Sequence, residues 1–121
     1  METFKLVMPE DLNPHGYLFG GRLLGWVDEY SYIAARLDFP TCNLVTVALA
    51  GVEFRKSVRQ GVILRFEVDR VHLGTTSVQY AVSVSRTDSQ DTKADPVFST
   101  KVTYVRVDDS GGKVPLPEPR R

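Results

Sequence analysis

The sequence predicts an α+β domain in which one long helix lies in the hollow of a curved antiparallel sheet. Two observations and one geometric argument predict it. A single stretch, about Gly21 to Leu37, has helical spacing: Leu23, Val27, Tyr30, Ala34 and Leu37 recur at steps of four, three, four and three. Several other stretches, nearly all later in the chain, read as strands with a period of two, and the connections between them are short. Consecutive strands are therefore expected to pair antiparallel. One helix cannot cover both faces of such a sheet, but it can fill the concave side of a bent one.

Taken in order, Thr3 to Met8 reads as a first strand. Pro9 to Gly16 holds two prolines, Asp, Asn and Gly, and is a loop. The helix follows and is stopped between Asp38 and Asn43, where Pro40 stands. Val45 to Phe54 is rich in apolar and β-branched residues. In Val62 to Val71, Leu64, Phe66 and Val68 face one way, and Arg65, Glu67 and Asp69 the other. In Ser77 to Arg86, Val78, Tyr80, Val82 and Val84 oppose Ser77, Gln79, Ser83 and Ser85. Val97 to Val107 is the last strand. Gln60-Gly61 and Leu73-Gly74-Thr75 read as hairpin turns, and Thr87 to Asp95 as a longer polar loop. Ser110 to Arg121, with three prolines and two glycines, is an extended or mobile tail. The open edges of such a sheet invite a second copy.

The chain has 121 residues, enough for one domain spanning residues 1–121. Lys plus Arg number 15 and Asp plus Glu number 15, so net charge offers no argument for nucleic acid or an anionic membrane. No run approaches the roughly 18 apolar residues of a membrane span. Met1 to Pro9 lacks the apolar run of a secretory signal. Cys42 is the single cysteine, so no intrachain disulfide forms. Together these features point to the cytoplasm.

The helix face away from the apolar stripe carries Gly21, Asp28 and Ala35 in one line, with Leu24, Ser31 and Tyr32 beside it. Asp28 is either a solvated helix carboxylate or a functional one. Its neighbours Trp26, Val27 and Tyr30 suggest an apolar setting, where a carboxylate has chemical use. Gly20 and Gly21 open the helix. Their bareness serves either a close backbone approach or an oxyanion held on free amides at the positive helix end. No phosphate-loop or dinucleotide-loop spacing follows them.

The run Asn13-Pro14-His15-Gly16-Tyr17-Leu18-Phe19-Gly20-Gly21-Arg22-Leu23-Leu24-Gly25-Trp26-Val27-Asp28 resembles the signature of YciA-like acyl-CoA thioesterases, a branch of the hotdog superfamily. The resemblance continues through Val45-Thr46-Val47, Gly51-Val52-Glu53-Phe54, Gly74-Thr75-Thr76-Ser77-Val78, the final strand and the Gly-Lys-Val-Pro-Leu-Pro tail. It implies a five- or six-stranded sheet wrapped round the helix, and two domains joined edge to edge, often within a trimer of dimers. It implies active sites at the subunit interface and no cofactor beyond the coenzyme A of the substrate. It assigns Asn13 and Asp28 as the catalytic pair, the Gly20-Gly21 helix start as the oxyanion site, and Gly74, Thr75, Thr76 and Ser77 as lining the coenzyme A path. Ser57 departs from the proline that members often have at this place in the loop.

Helix geometry points to a shared site on its own terms. Gly21 and Asp28 are seven residues apart, about 10 Å along the axis. A base must work within about 3 Å of the reacting atoms, or through one water. Asp28 of one subunit is therefore expected to act on a thioester held by Gly21 of the partner subunit, either activating water or attacking directly. Arg55, Lys56 and Arg59 form the densest basic group beside a strand end, with Arg22 next to the glycines. They are the candidates for the phosphates of coenzyme A. A non-catalytic acyl-CoA sensor is the alternative, although the attached DNA-binding helix pair usual in sensors is missing from the sequence. A dehydratase using His15 is a second one.

Overall fold

The structure is a computed structural model and describes residues 1–88 and 95–120. Among the described residues there are five strands and one α-helix. They are β1 (Glu2–Leu6), α1 (Gly20–Asp38), β2 (Leu44–Phe54), β3 (Ile63–Leu73), β4 (Ser77–Arg86) and β5 (Phe98–Arg106), with a 3-10 turn at Pro9–Asp11. The strands form one antiparallel sheet in the order β1-β3-β4-β5-β2. Its inner face presents Leu64, Phe66, Val68, Val78, Tyr80, Val82, Val84, Phe98, Val102 and Tyr104, all buried. Against it lie Leu23, Val27 and Ala34 of α1. The period-two and period-3.6 patterns thus meet in one core, as the sequence predicts.

The strand order corrects one expectation. Gln60-Gly61 does not close a hairpin, because β2 pairs with β5 and β3 pairs with β1. The intervening segment crosses beneath the start of the helix instead. On the way its backbone is satisfied by Leu18 N to Val58 O (2.7 Å), Gly61 N to Val7 O (2.9 Å) and Val7 N to Val62 O (2.9 Å). Buried amides need partners wherever they run, and here a crossing provides them as well as a hairpin would. Leu73-Gly74-Thr75 does turn β3 into β4. A Cβ on Gly74 would stand 2.8 Å from Ser77 Oγ, so only glycine fits the turn undisturbed.

The buried helix face is also rotated from the predicted stripe. Leu37 is exposed, whereas Ser31, Ala35 and Asp38 are buried. The polar members of that face survive burial because each is bonded: Ser31 to Tyr104, and Asp38 to Tyr80 Oη (2.7 Å) and Arg70 Nη1 (3.1 Å). After β5 the chain turns at Asp108–Gly112 and then runs extended and tied down. Val114 N bonds Arg106 O, Leu116 N bonds Thr75 O, and Arg120 N bonds Asp38 O. Of the Thr87 to Asp95 loop, residues 89–94 lie outside the described residues.

β2 is the sheet's edge on one side. It runs eleven residues, about twice an ordinary strand. Val45, Val47, Val52 and Phe54 on it are all exposed.

Candidate active site

The loop before α1 is organised by one side chain. Asn13 Oδ1 accepts from the amides of His15 (2.9 Å) and Tyr17 (3.1 Å), an Asx turn closed further by Asn13 N to Tyr17 O at 2.7 Å. The carbonyl end of Asn13 is thereby committed, and its Nδ2 is the donor left for other work.

The helix start follows. The amides of Arg22 and Leu23 both reach Phe19 O, at 3.0 and 3.1 Å. The amides of Gly20 and Gly21 meet no acceptor among the described residues, as the first turn of a helix leaves them. A Cβ on Gly20 would come within 3.1 Å of Phe54 Cζ, so the steric reading of this glycine holds beside the functional one.

Asn13, Gly20, Arg55 and Lys56 line one cavity of about 330 Å³, together with Tyr17, Leu23, Phe54, Ser57 and Val58. Arg59 reaches the same wall through Tyr17, stacking on its ring at 4.9 Å and donating to its hydroxyl at 3.2 Å. Lys56 is paired with Asp95 (3.1 Å) and Arg55 loosely with Glu53 (3.8 Å). Gly21 opens instead on a second hollow of about 630 Å³ beside Arg22, Gly25, Trp26 and Glu29. Arg22 is held there by the buried Asp11 at 3.3 Å.

Asp28 lies elsewhere. Its Oδ1 accepts from Thr46 Oγ1 of β2 (2.8 Å) and from Tyr104 Oη of β5 (3.1 Å). The apolar setting expected from Trp26, Val27 and Tyr30 is therefore corrected to one of hydroxyls. Thr46 pairs with Tyr104 across the sheet, and Phe54 pairs with Phe98. Tyr104 and Phe98 are six steps apart on β5, so the two pairs stand about 20 Å apart at a strand's rise, and β2 takes up its extra residues in bulges. Within one chain, Asp28 and the Asn13 cavity stand at opposite ends of β2. Gly74 to Ser77 fall on the Asp28 end: Ser77 pairs with Val105, and Thr75 and Thr76 accept from the amides of Leu116 and Arg106. One chain thus brings together Asn13, Gly20, Arg55, Lys56 and Arg59, but not Asp28 or Gly74 to Ser77.

Thr46, Tyr104, Tyr17 and Phe54 are the site neighbours that sequence reading missed. Thr46 is the one hydroxyl between two exposed valines of a strand, and that break in an apolar alternation was its signal. Tyr104 carried none, because a tyrosine in the inward phase of a strand reads as core.

Burial pushes the hydroxyls of Tyr80 and Tyr104 above the usual tyrosine range. The Asp38 carboxylate adds to the effect at Tyr80; at Tyr104 the Asp28 carboxylate adds to it and the Ser31 bond opposes it. A pKa raised in the folded state gives stability that is full below the unfolded value, about 10, and is lost as pH rises beyond it. In alkaline titration, Tyr80 and Tyr104 ionise only as the chain unfolds. Reversible ionisation of all five tyrosines in the folded chain would contradict this.

A family model described as the thioesterase superfamily matches residues 15–93. The acyl-CoA thioester hydrolase YciA of Salmonella typhimurium is 32% identical over 118 residues, covering 93% of this chain and 86% of the relative. The Staphylococcus aureus acyl-CoA hydrolase, solved with butyryl coenzyme A, superposes with a TM-score of 0.82 at 28% identity, over 98% of this chain and 69% of that one. The hexameric hotdog-fold thioesterase Cj0915 of Campylobacter jejuni superposes with a TM-score of 0.80 at 32% identity, over 95% and 88%. The chain spans 64% of the length of the Bacillus subtilis acyl-CoA thioester hydrolase YkhA, and 30% of the human cytosolic acyl coenzyme A thioester hydrolase. The sheet wrapped round its helix is the hotdog fold, and the chain belongs to the thioesterase superfamily, in its YciA-like branch.

Proposed function

We propose that the chain, acting as one domain over residues 1–121, hydrolyses fatty or short-chain acyl-CoA thioesters to free acid and coenzyme A in a site shared by two copies. One observation carries the reading: Asp28 and the Asn13 cavity lie at opposite ends of a long, open, apolar edge strand. Ala50 stands midway between Thr46 and Phe54. Antiparallel pairing of β2 with a second β2 about Ala50 sets the Asp28 end of each copy against the Asn13 end of the other. The thioester oxygen then meets the free amides at the helix start, where developing negative charge is stabilised. Asn13 Nδ2 orients the water or the carbonyl. Asp28 removes the proton of the attacking water, or attacks and forms an anhydride that water opens; either way coenzyme A leaves as the thiol. Arg55, Lys56 and Arg59 meet phosphate, and Gly74 to Ser77 of the second copy border the path. The chemistry calls for no cofactor.

The relatives support this. The Staphylococcus aureus hydrolase has been solved with an asparagine and an aspartate each changed to alanine, and these stand fifteen positions apart, as Asn13 and Asp28 do. The Campylobacter jejuni and Yersinia pestis thioesterases are hexameric, which fits a trimer of such dimers. A cytoplasmic place of work fits the buried free thiol of Cys42. Among the described residues no helix is long and apolar enough to cross a membrane.

Thiol release from a panel of acyl-CoAs tests the activity. Tight binding without turnover at every chain length would favour a sensor. Mixing subunits tests the sharing. Asn13→Asp keeps the Oδ1 acceptor of the Asx turn and removes the Nδ2 donor. Mixed with Asp28→Asn, it should recover about a quarter of wild-type activity, since half the dimers are mixed and each holds one intact site. No recovery sinks the shared site.

A further inference from the structure

We infer that Tyr104 is a positioning residue for this hydrolysis: with Thr46 it holds Oδ1 of Asp28, so that Oδ2 is the oxygen presented to the reaction. The inference rests on the reading of Asp28 as the reacting carboxylate. Tyr104 is fully buried, and beside the Thr46 side chain its hydroxyl faces three oxygens of Ser31 and Asp28. These are Ser31 Oγ at 2.7 Å, the Asp28 carbonyl at 2.9 Å and Asp28 Oδ1 at 3.1 Å. A phenol has one proton to give. Of the three acceptors only the carboxylate is charged, and charge-assisted hydrogen bonds are the stronger ones. The serine can turn and donate to the phenol oxygen, which leaves the tyrosine proton to Asp28. Thr46 Oγ1 donates to the same Oδ1 at 2.8 Å. Oδ2 has no partner among the described residues.

A carboxylate on an exposed helix face would turn about its side-chain bonds. Two donors from two different strands fix this one and decide which lone pairs stay open. The rigid parts are β5, buried in mid-sheet, and β2, the strand at the proposed contact between copies. The carboxylate is therefore set by the same sheet that sets the distance to the second copy.

Tyr80 supplies an internal control. It is as buried as Tyr104, and its hydroxyl donates to a different carboxylate, Asp38, at 2.7 Å. Phenylalanine preserves the ring in both places, and in Tyr104→Phe the Ser31 hydroxyl can donate instead to Val27 O, 2.7 Å away. Both Tyr104→Phe and Tyr80→Phe should lower the melting temperature to a similar degree. Tyr104→Phe alone should lower kcat, by roughly tenfold to a hundredfold as for loss of a hydrogen bond to a charged group, with KM within about twofold. Unchanged kcat in Tyr104→Phe, or an equal loss in Tyr80→Phe, overturns the inference. Asp28→Asn in the same assay separates the two claims. If it stays active, the reading of Asp28 falls. If it is dead while Tyr104→Phe turns over normally, only the role of Tyr104 falls.

Discussion

Asp28→Asn should reduce thioester hydrolysis to about a thousandth of wild type or less, the scale of a lost general base. It should do so without unfolding the chain. Asparagine retains an Oδ1 that can accept from Thr46 and Tyr104, the two bonds that fix the side chain. What changes is the other atom, where a basic oxygen becomes an amide nitrogen without a usable lone pair. The expected result is a protein with near-native melting behaviour and near-native acyl-CoA affinity that releases no thiol above background. Steady-state assay, thermal melting and equilibrium binding on one preparation check it. Activity within tenfold of wild type would remove Asp28 from the mechanism. If turnover is lost, single-turnover reaction in oxygen-labelled water separates the two routes: label entering the wild-type carboxylate marks direct attack.

The second large effect is expected on the edge strand. Pairing about Ala50 sets Val47 opposite Glu53 of the partner subunit. Val47 is 53% exposed in the single chain, so its replacement costs the isolated fold little. Val47→Asp puts one carboxylate against another at each end of the pairing, and charge on an edge is how sheets avoid unwanted partners. The variant should sediment as a folded monomer and lose at least a hundredfold in turnover, because each half site is left without its complement. A fully active monomer would refute the shared site. An assembled Val47→Asp enzyme with normal turnover would move the contact off β2.

How much of this could be read from the residues differs from part to part. The inward set Val78, Tyr80, Val82 and Val84 was legible because burial on one face imposes a period that sequence displays directly. The strand order was not. Gln60-Gly61 has the composition of a hairpin turn, and nothing local says that β2 leaves for the far edge; that is decided by which strand covers which side of the helix. The rotation of α1 was missed for a related reason. Ser31 and Asp38 look like surface residues until Tyr104, Tyr80 and Arg70, distant in sequence, supply their partners. At the site, the run from Asn13 to Asp28 named the candidate residues, and the helix rise between Gly21 and Asp28 already set two of them apart, but nothing in it said that they divide between two ends of β2. A motif lists neighbours along the chain, whereas a two-fold axis groups residues that one chain holds apart.

Phe54 gives the edge strand a second consequence. Its ring lies against Gly20 and packs at a tilt on Phe98, centroids 5.0 Å apart, yet the residue is half exposed on the strand proposed to join two copies. The wall of the cavity and the seam between molecules are then the same side chain. On this reading enzyme that is diluted until its subunits part does not become a slower catalyst of the same shape. Its specific activity should fall with concentration along the dissociation curve, and added coenzyme A, by binding across the seam, should hold the subunits together.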